Sequence, residues 1–185
     1  MNAWWQMWQG GFTKELCQQI IADGSKLPPV EGSIGHCNVP IIDKGFRRST
    51  IRWIPRSWDW LRKELEFYFQ TANINAFGFD LSVLREIQFT EYNCEQTGHY
   101  DWHEDLTWTN PKPYHRKLSL VVQLSDSEDY EGCNLELERE PPKQEELRTK
   151  GTIIVFPGFM KHRVSLITKG TRYSLVAWYE GPKFR

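Results

Sequence analysis

Residues 151–180 read GTIIVFPGFMKHRVSLITKGTRYSLVAWYE. The stretch divides into β-like runs at 151–156, 162–166 and 172–179, rich in Val, Ile and aromatic residues. Pro157-Gly158 and Lys169-Gly170 separate them as turn signals. The same texture extends upstream to runs at 83–92, 117–124 and 134–138. Residues 139–150 are rich in Pro and charge and read as a hairpin excursion, not a domain linker.

Before Asp80 the texture changes. Thr13 is placed to cap a helix that runs to Gly24, with Leu16, Cys17, Ile20 and Ile21 on one face. Ser57 is placed to cap a second helix, striped by Leu61, Leu65, Tyr68 and Phe69. Residues 28–50 carry Pro and Gly without periodicity and read as a long loop. Two helices followed by a series of short strands predict a mostly β fold with supporting helices (α+β). The architecture expected is a jelly roll, or double-stranded β-helix, with the N-terminal helices packed on one sheet. One domain is expected over 1–185, with 1–80 as helical and loop support and 81–182 as the jelly-roll core.

Composition excludes several classes. A formal net charge of −1 offers no electrostatic footprint for nucleic acid or an anionic membrane. No apolar run is long enough to span a bilayer, and the start, MNAWWQMWQGGF, lacks the basic region of a signal peptide. Cys17, Cys37, Cys94 and Cys133 show no C-x-x-C spacing, so neither a zinc ribbon nor a redox motif is indicated. Reduced thiols in a cytoplasmic protein are expected. The sequence does not set the oligomeric state, and a monomer is compatible with it.

The chemistry concentrates in HEDLTW at 103–108. On an extended backbone residues i and i+2 point to one side, so His103 and Asp105 offer an imidazole and a carboxylate to one point. Two imidazoles and a carboxylate on one face of an iron leave three positions open for a chelating cosubstrate and O2. The third ligand must be a later histidine. His162 follows an apolar run and a Pro-Gly turn, which suits the mouth of a barrel, whereas His115 falls in TNPKPYHRK, a loop by its composition. Arg172 and Ser174 share a strand face, and a guanidinium beside a hydroxyl can clamp a carboxylate.

The pieces EYNCEQTGHYDWHED, DYEGCNLELE, GTIIVFPGFMKHRV and KGTRYSLVAWYEG resemble, in order and spacing, the 2-oxoglutarate/Fe(II) oxygenases. They are most similar to the prolyl 4-hydroxylase branch, in its small microbial and phage-type members. The resemblance covers residues 84–180 and extends weakly upstream through FRRSTIRW. It implies Fe(II) on His103, Asp105 and His162. It implies 2-oxoglutarate held by Arg172, Ser174 and Tyr92, with Gln123 standing where many relatives carry an aromatic near the cosubstrate. Cys133 stands where many relatives have glycine. Tyr100, Trp102, Trp108 and Arg116 are the candidate substrate-binding residues. The implied activity is hydroxylation of a C–H bond of prolyl residues in a peptide or protein, with O2 consumed, succinate and CO2 released, and ascorbate (vitamin C) as a stimulant.

Other readings stand beside this one. The same chemistry on a free amino acid, another side chain, a modified nucleobase or a small molecule is the first alternative. A non-catalytic binding module on the same fold is the second, and a complete ligand set speaks against it. His99 and His103 stand at i, i+4, but Gly98 and β-like flanks oppose a helical zinc site. His36 reads as a loop histidine, and Trp4, Trp5 and Trp8 as core packing under a sheet.

Overall fold

The computed structural model describes residues 3–36, 39–109 and 111–185. Thr13 caps the first helix, Lys14–Gly24, as its hydroxyl accepts from the Leu16 amide at 3.2 Å. The second helix, Asp59–Ala72, starts one residue later than Ser57 would place it, with Trp58 as the cap and no side-chain bond there. Leu61, Leu65, Tyr68 and Phe69 are buried along its stripe, as the periodicity predicts. A π-helical turn, Asn73–Phe77, continues it until Gly78 at φ 66 closes the end.

Among the described residues, eight antiparallel strands form the larger sheet and four the smaller. The larger sheet runs in the order Gln6–Trp8, Ile153–Pro157, Tyr114–Gln123, Ile167–Pro182, Val83–Asn93, Thr50–Trp53, Val30–Glu31. Tyr130–Gly132 attaches to Ile167–Pro182. The smaller sheet runs Leu135–Leu137, His162–Val164, His99–His103, Arg47–Arg48. This is the expected jelly roll.

Alternation along the strands decides what each face does. On Ile167–Pro182, Leu175, Ala177 and Tyr179 pack under the helices with Phe89, Leu118, Leu120 and Val122. Arg172, Ser174, Val176 and Trp178 line the cavity between the sheets. Trp8 joins the helix-side core, while Trp4 and Trp5 pack against the second cluster of apolar residues, so the N-terminal tryptophans are packing residues. The hinge between helix and sheet is tight, since a Cβ on Gly24 would stand 3.0 Å from the Phe89 ring. Phe89 is fully buried and stacks on Tyr173 at 5.5 Å. Phe89→Ala is expected to cost about 3–5 kcal/mol through the cavity it leaves. Thermal unfolding followed by circular dichroism should show a drop of roughly 10 °C; an unchanged midpoint would mean the helices do not depend on this contact.

Three segments differ from the sequence expectation. Residues 28–50 are not a structureless loop, because Val30–Glu31, Ile34–His36, Val39–Ile41 and Arg47–Arg48 are short strands within them. Runs of two or three residues carry no readable period; Ile34–His36 and Val39–Ile41 pair with each other, whereas Val30–Glu31 and Arg47–Arg48 take partners further along the chain, in Thr50–Trp53 and His99–His103. His36 thus ends a strand, while Cys37 lies outside the described residues. The 139–150 excursion contains a short helix, Gln144–Leu147, held where Gln144 donates to the Leu135 carbonyl at 2.9 Å. His115 belongs to the strand Tyr114–Gln123 and is buried, not part of a loop.

Candidate metal centre

His103 closes the strand His99–His103, and His162 opens His162–Val164, its antiparallel neighbour. The two are register partners. Asp105 lies past the strand, in a bend, so it reaches the site by a turn of the chain and not by simple alternation. Its Oδ1 stands 3.9 Å from His103 Nε2, and its Oδ2 stands 3.6 Å from His162 Nε2. The three ligand atoms lie within 4.8 Å of one another.

Each imidazole is oriented from behind. His103 Nδ1 meets the Asp101 carbonyl at 2.7 Å, and His162 Nδ1 meets the Met160 carbonyl at 2.8 Å. A carbonyl oxygen only accepts, so the proton sits on Nδ1 and the Nε2 lone pair is bare toward Asp105. Burial and the facing His162 imidazole hold His103 well below the ordinary histidine range, in its neutral, ligating form. Burial alone would raise the Asp105 carboxyl. His162 and His103, then the Arg116 guanidinium and the Ser119 hydroxyl, outweigh it and keep the carboxyl below its usual range. Tyr100 stacks on the His103 ring at 3.5 Å, and the buried Arg47 guanidinium lies 4.4 Å from the Tyr100 ring.

The sequence reading missed Ser119, whose Oγ donates to Asp105 Oδ2 at 2.6 Å. Its signal was available as a polar residue inside the apolar run KLSLVVQL of a central strand. Ser119→Ala removes the bond that aims the carboxylate and is expected to weaken metal binding about tenfold to a hundredfold. Titration of metal-free protein with Fe(II) under argon checks this, and wild-type affinity in the variant would mean Asp105 needs no such support. Arg47 was also missed, since it lies in the segment read as a loop.

The metal cluster opens into a cavity of about 1000 Å³, walled by Val121, Leu135, Val164 and Val176 and lined also by Tyr92, Arg172 and Ser174. Arg172 is 3% exposed and has no carboxylate partner among the described residues. A buried guanidinium without a counter-charge is costly, and one that faces a cavity is suited to receive an anion. Burial raises the Tyr92 phenol above its usual range, so it stays a hydrogen-bond donor. Gln123 is not among the cavity-lining residues. It lies behind Arg172, with Oε1 accepting from Arg172 Nε at 2.9 Å. The buried Cys133 thiol, at φ 51 beside Gly132, is an electrostatic neighbour of the same guanidinium, and burial raises it above the ordinary thiol range.

Tyr100, Trp102, Trp108 and Arg116 all line the cavity. Arg116 lies 3.9 Å over the Trp178 ring and donates to Glu86 at 3.1 Å. Trp102 faces Arg163 at 5.0 Å, and Trp108 stands 56% exposed at the rim. The structure therefore brings together the sequence-predicted metal ligands, the Arg172 clamp and the four substrate candidates, and sets Gln123 one layer back.

Bare imidazole nitrogens, an ionised carboxylate and a separate anion receptor in one cavity suit a divalent first-row metal with a chelating anionic partner. This is the class of jelly-roll metal oxygenases. Residues 87–180 match the family model of the 2OG-Fe(II) oxygenase superfamily, and the chain belongs to that superfamily. A PKHD-type hydroxylase of Pseudomonas fluorescens is 33% identical over 91 residues, which cover 46% of this chain and 40% of that protein. A PKHD-type hydroxylase of Picosynechococcus is 36% identical over 63 residues, 34% of this chain and 29% of the relative. The chain thus matches less than half the length of these curated relatives. Solved structures share its fold. A viral collagen prolyl hydroxylase from Paramecium bursaria Chlorella virus-1, in complex with 2OG, superposes with a TM-score of 0.69 at 16% identity, covering 97% of each chain. A prolyl hydroxylase from Trichoplax adhaerens, bound to a peptide of a hypoxia inducible factor, gives 0.73 at 16% identity, covering 95% of this chain and 83% of that one.

Proposed function

We propose that the chain is a 2-oxoglutarate- and Fe(II)-dependent dioxygenase that hydroxylates prolyl residues of a peptide or protein and releases succinate and CO2. The observation that carries this reading is one cavity holding both the His103, Asp105, His162 cluster and Arg172, a buried guanidinium with no carboxylate partner among the described residues. Superfamily membership supports the chemistry, and the names of the structural relatives support a peptidyl proline.

Each side chain has a part that its geometry suits. His103, Asp105 and His162 would hold Fe(II), leaving positions open for the keto acid and O2. When bound, iron would let O2 act as the oxidant, one oxygen atom passing into succinate as 2-oxoglutarate loses CO2 and the other into the hydroxyl on the substrate carbon. Arg172 binds the distal carboxylate, with the Tyr92 and Ser174 hydroxyls as further donors. Val121, Leu135, Val164 and Val176 exclude bulk water from the reacting centre. Trp102, Trp108 and Arg116 form the rim over which a peptide would lie, and Tyr100 holds the His103 ring in orientation.

The whole chain acting as one oxygenase domain belongs to the same proposal. So does a cytoplasmic setting, which the free thiols of Cys17, Cys94 and Cys133 support. Among the described residues, no helix is long and apolar enough to cross a membrane.

The test is an anaerobic titration with Fe(II) and 2-oxoglutarate watched by visible absorption, followed by turnover with proline-containing peptides. A band that needs both additions, then a mass gain of one oxygen on proline, is the expected result. Turnover stimulated by a free amino acid or another side chain, and never by proline peptides, would transfer the reading to a different substrate. Absence of the band would overturn it.

A further inference from the structure

We infer that Gln123 is the positioning residue that sets the Arg172 guanidinium for the distal carboxylate of the cosubstrate, an inference that rests on the reading of the site as a 2-oxoglutarate site. Gln123 and Arg172 are both 3% exposed, at the end of the central strand and on its neighbour. The Gln123 amide nitrogen donates to the Ser125 carbonyl at 2.9 Å and to the Tyr130 hydroxyl at 3.1 Å. Because the Ser125 carbonyl can only accept, the amide cannot be turned over, and its oxygen must face Arg172. That oxygen takes the Arg172 Nε proton at 2.9 Å.

Two consequences follow for recognition. The bond uses the Nε proton and leaves the terminal nitrogens, so the forked end of the arginine is available where Arg172 lines the cavity. A flexible arginine held in advance loses less freedom on meeting a carboxylate. The acceptor is also neutral. A carboxylate at 123 would hold the guanidinium as firmly but would satisfy its charge before any ligand arrived. Both amide hydrogens of Gln123 are committed to Ser125 and Tyr130, so it acts through Arg172 and does not touch the cosubstrate.

The test uses Gln123→Leu and Gln123→Glu in the full chain, loaded with Fe(II) without oxygen. Each is titrated with 2-oxoglutarate and with pyruvate, which has the chelating head but no distal carboxylate. Gln123→Leu is expected to weaken 2-oxoglutarate binding about tenfold or more and leave pyruvate binding unchanged. Gln123→Glu keeps an acceptor for Arg172 but loses the donor to the Ser125 carbonyl, so it should unfold below the wild-type midpoint while remaining folded at room temperature, and weaken 2-oxoglutarate at least as much. Wild-type 2-oxoglutarate affinity in Gln123→Leu, or equal losses for both keto acids, would overturn the inference. Should Gln123→Leu fail to fold, Gln123→Glu decides, and full 2-oxoglutarate affinity there overturns it. If the wild-type protein binds pyruvate and 2-oxoglutarate equally, or neither, the 2-oxoglutarate reading itself falls and takes this inference with it.

Discussion

Asp105→Ala gives a folded protein that no longer turns over with metal, a loss on the order of a thousandfold or more, the scale on which essential catalytic groups act. The carboxylate is the anionic member of the cluster and stands between both imidazoles, at 3.9 and 3.6 Å. Without it two neutral nitrogens remain, a poor match for a hard divalent ion. The fold should survive because the substitution also removes a buried charge, which offsets the lost Ser119 bond of 2.6 Å. The check is a pair of thermal melts. Added Fe(II) raises the wild-type midpoint by mass action, and the same addition leaves Asp105→Ala unmoved. Stabilisation of the variant by Fe(II) equal to that of the wild type would remove Asp105 from the ligand set.

Arg172→Ala raises the 2-oxoglutarate requirement about a hundredfold while iron binding stays close to wild type, the cost expected when a buried charge-assisted pair loses one partner. Arg172 is buried, lines the cavity and lies opposite Tyr92 in the sheet register. Arg172→Lys should recover only part of the affinity, because an ammonium has no fork to lay against a carboxylate. The readout is the anaerobic absorption titration, with Fe(II) affinity measured separately. Loss of iron binding with an unchanged 2-oxoglutarate requirement would reverse the assignment of roles between Arg172 and the histidine cluster.

Most of what was legible in the sequence was local. The Thr13 cap, the Leu61, Leu65, Tyr68 and Phe69 stripe and the long runs at 83–92, 117–124 and 172–179 appear as helices and strands where the pattern puts them. The short pieces were not legible. Val30–Glu31 and Arg47–Arg48 hold two residues each, too few to show a period of two, and Gln144–Leu147 is a single turn. His115 looked like a loop residue from its Pro-rich neighbours, yet it pairs in the sheet with Gly181, far along the chain.

The site divides in the same way. His103, Asp105, His162, Arg172 and Ser174 were legible as candidates from residue type and family resemblance, although Asp105 arrives by a bend and not by the i, i+2 alternation. Ser119, Arg47 and the place of Gln123 behind Arg172 were not, since each acquires its role only from a partner elsewhere in the chain. Ser119 meets a carboxylate 14 residues away and Gln123 a guanidinium 49 residues away. The sequence by itself determined the β-rich architecture and the faces of the long strands, because steric periodicity acts over a few residues, and it named the candidate metal and anion donors. Only the tertiary structure decided which side chains orient those donors, because that depends on the register between strands far apart in the chain.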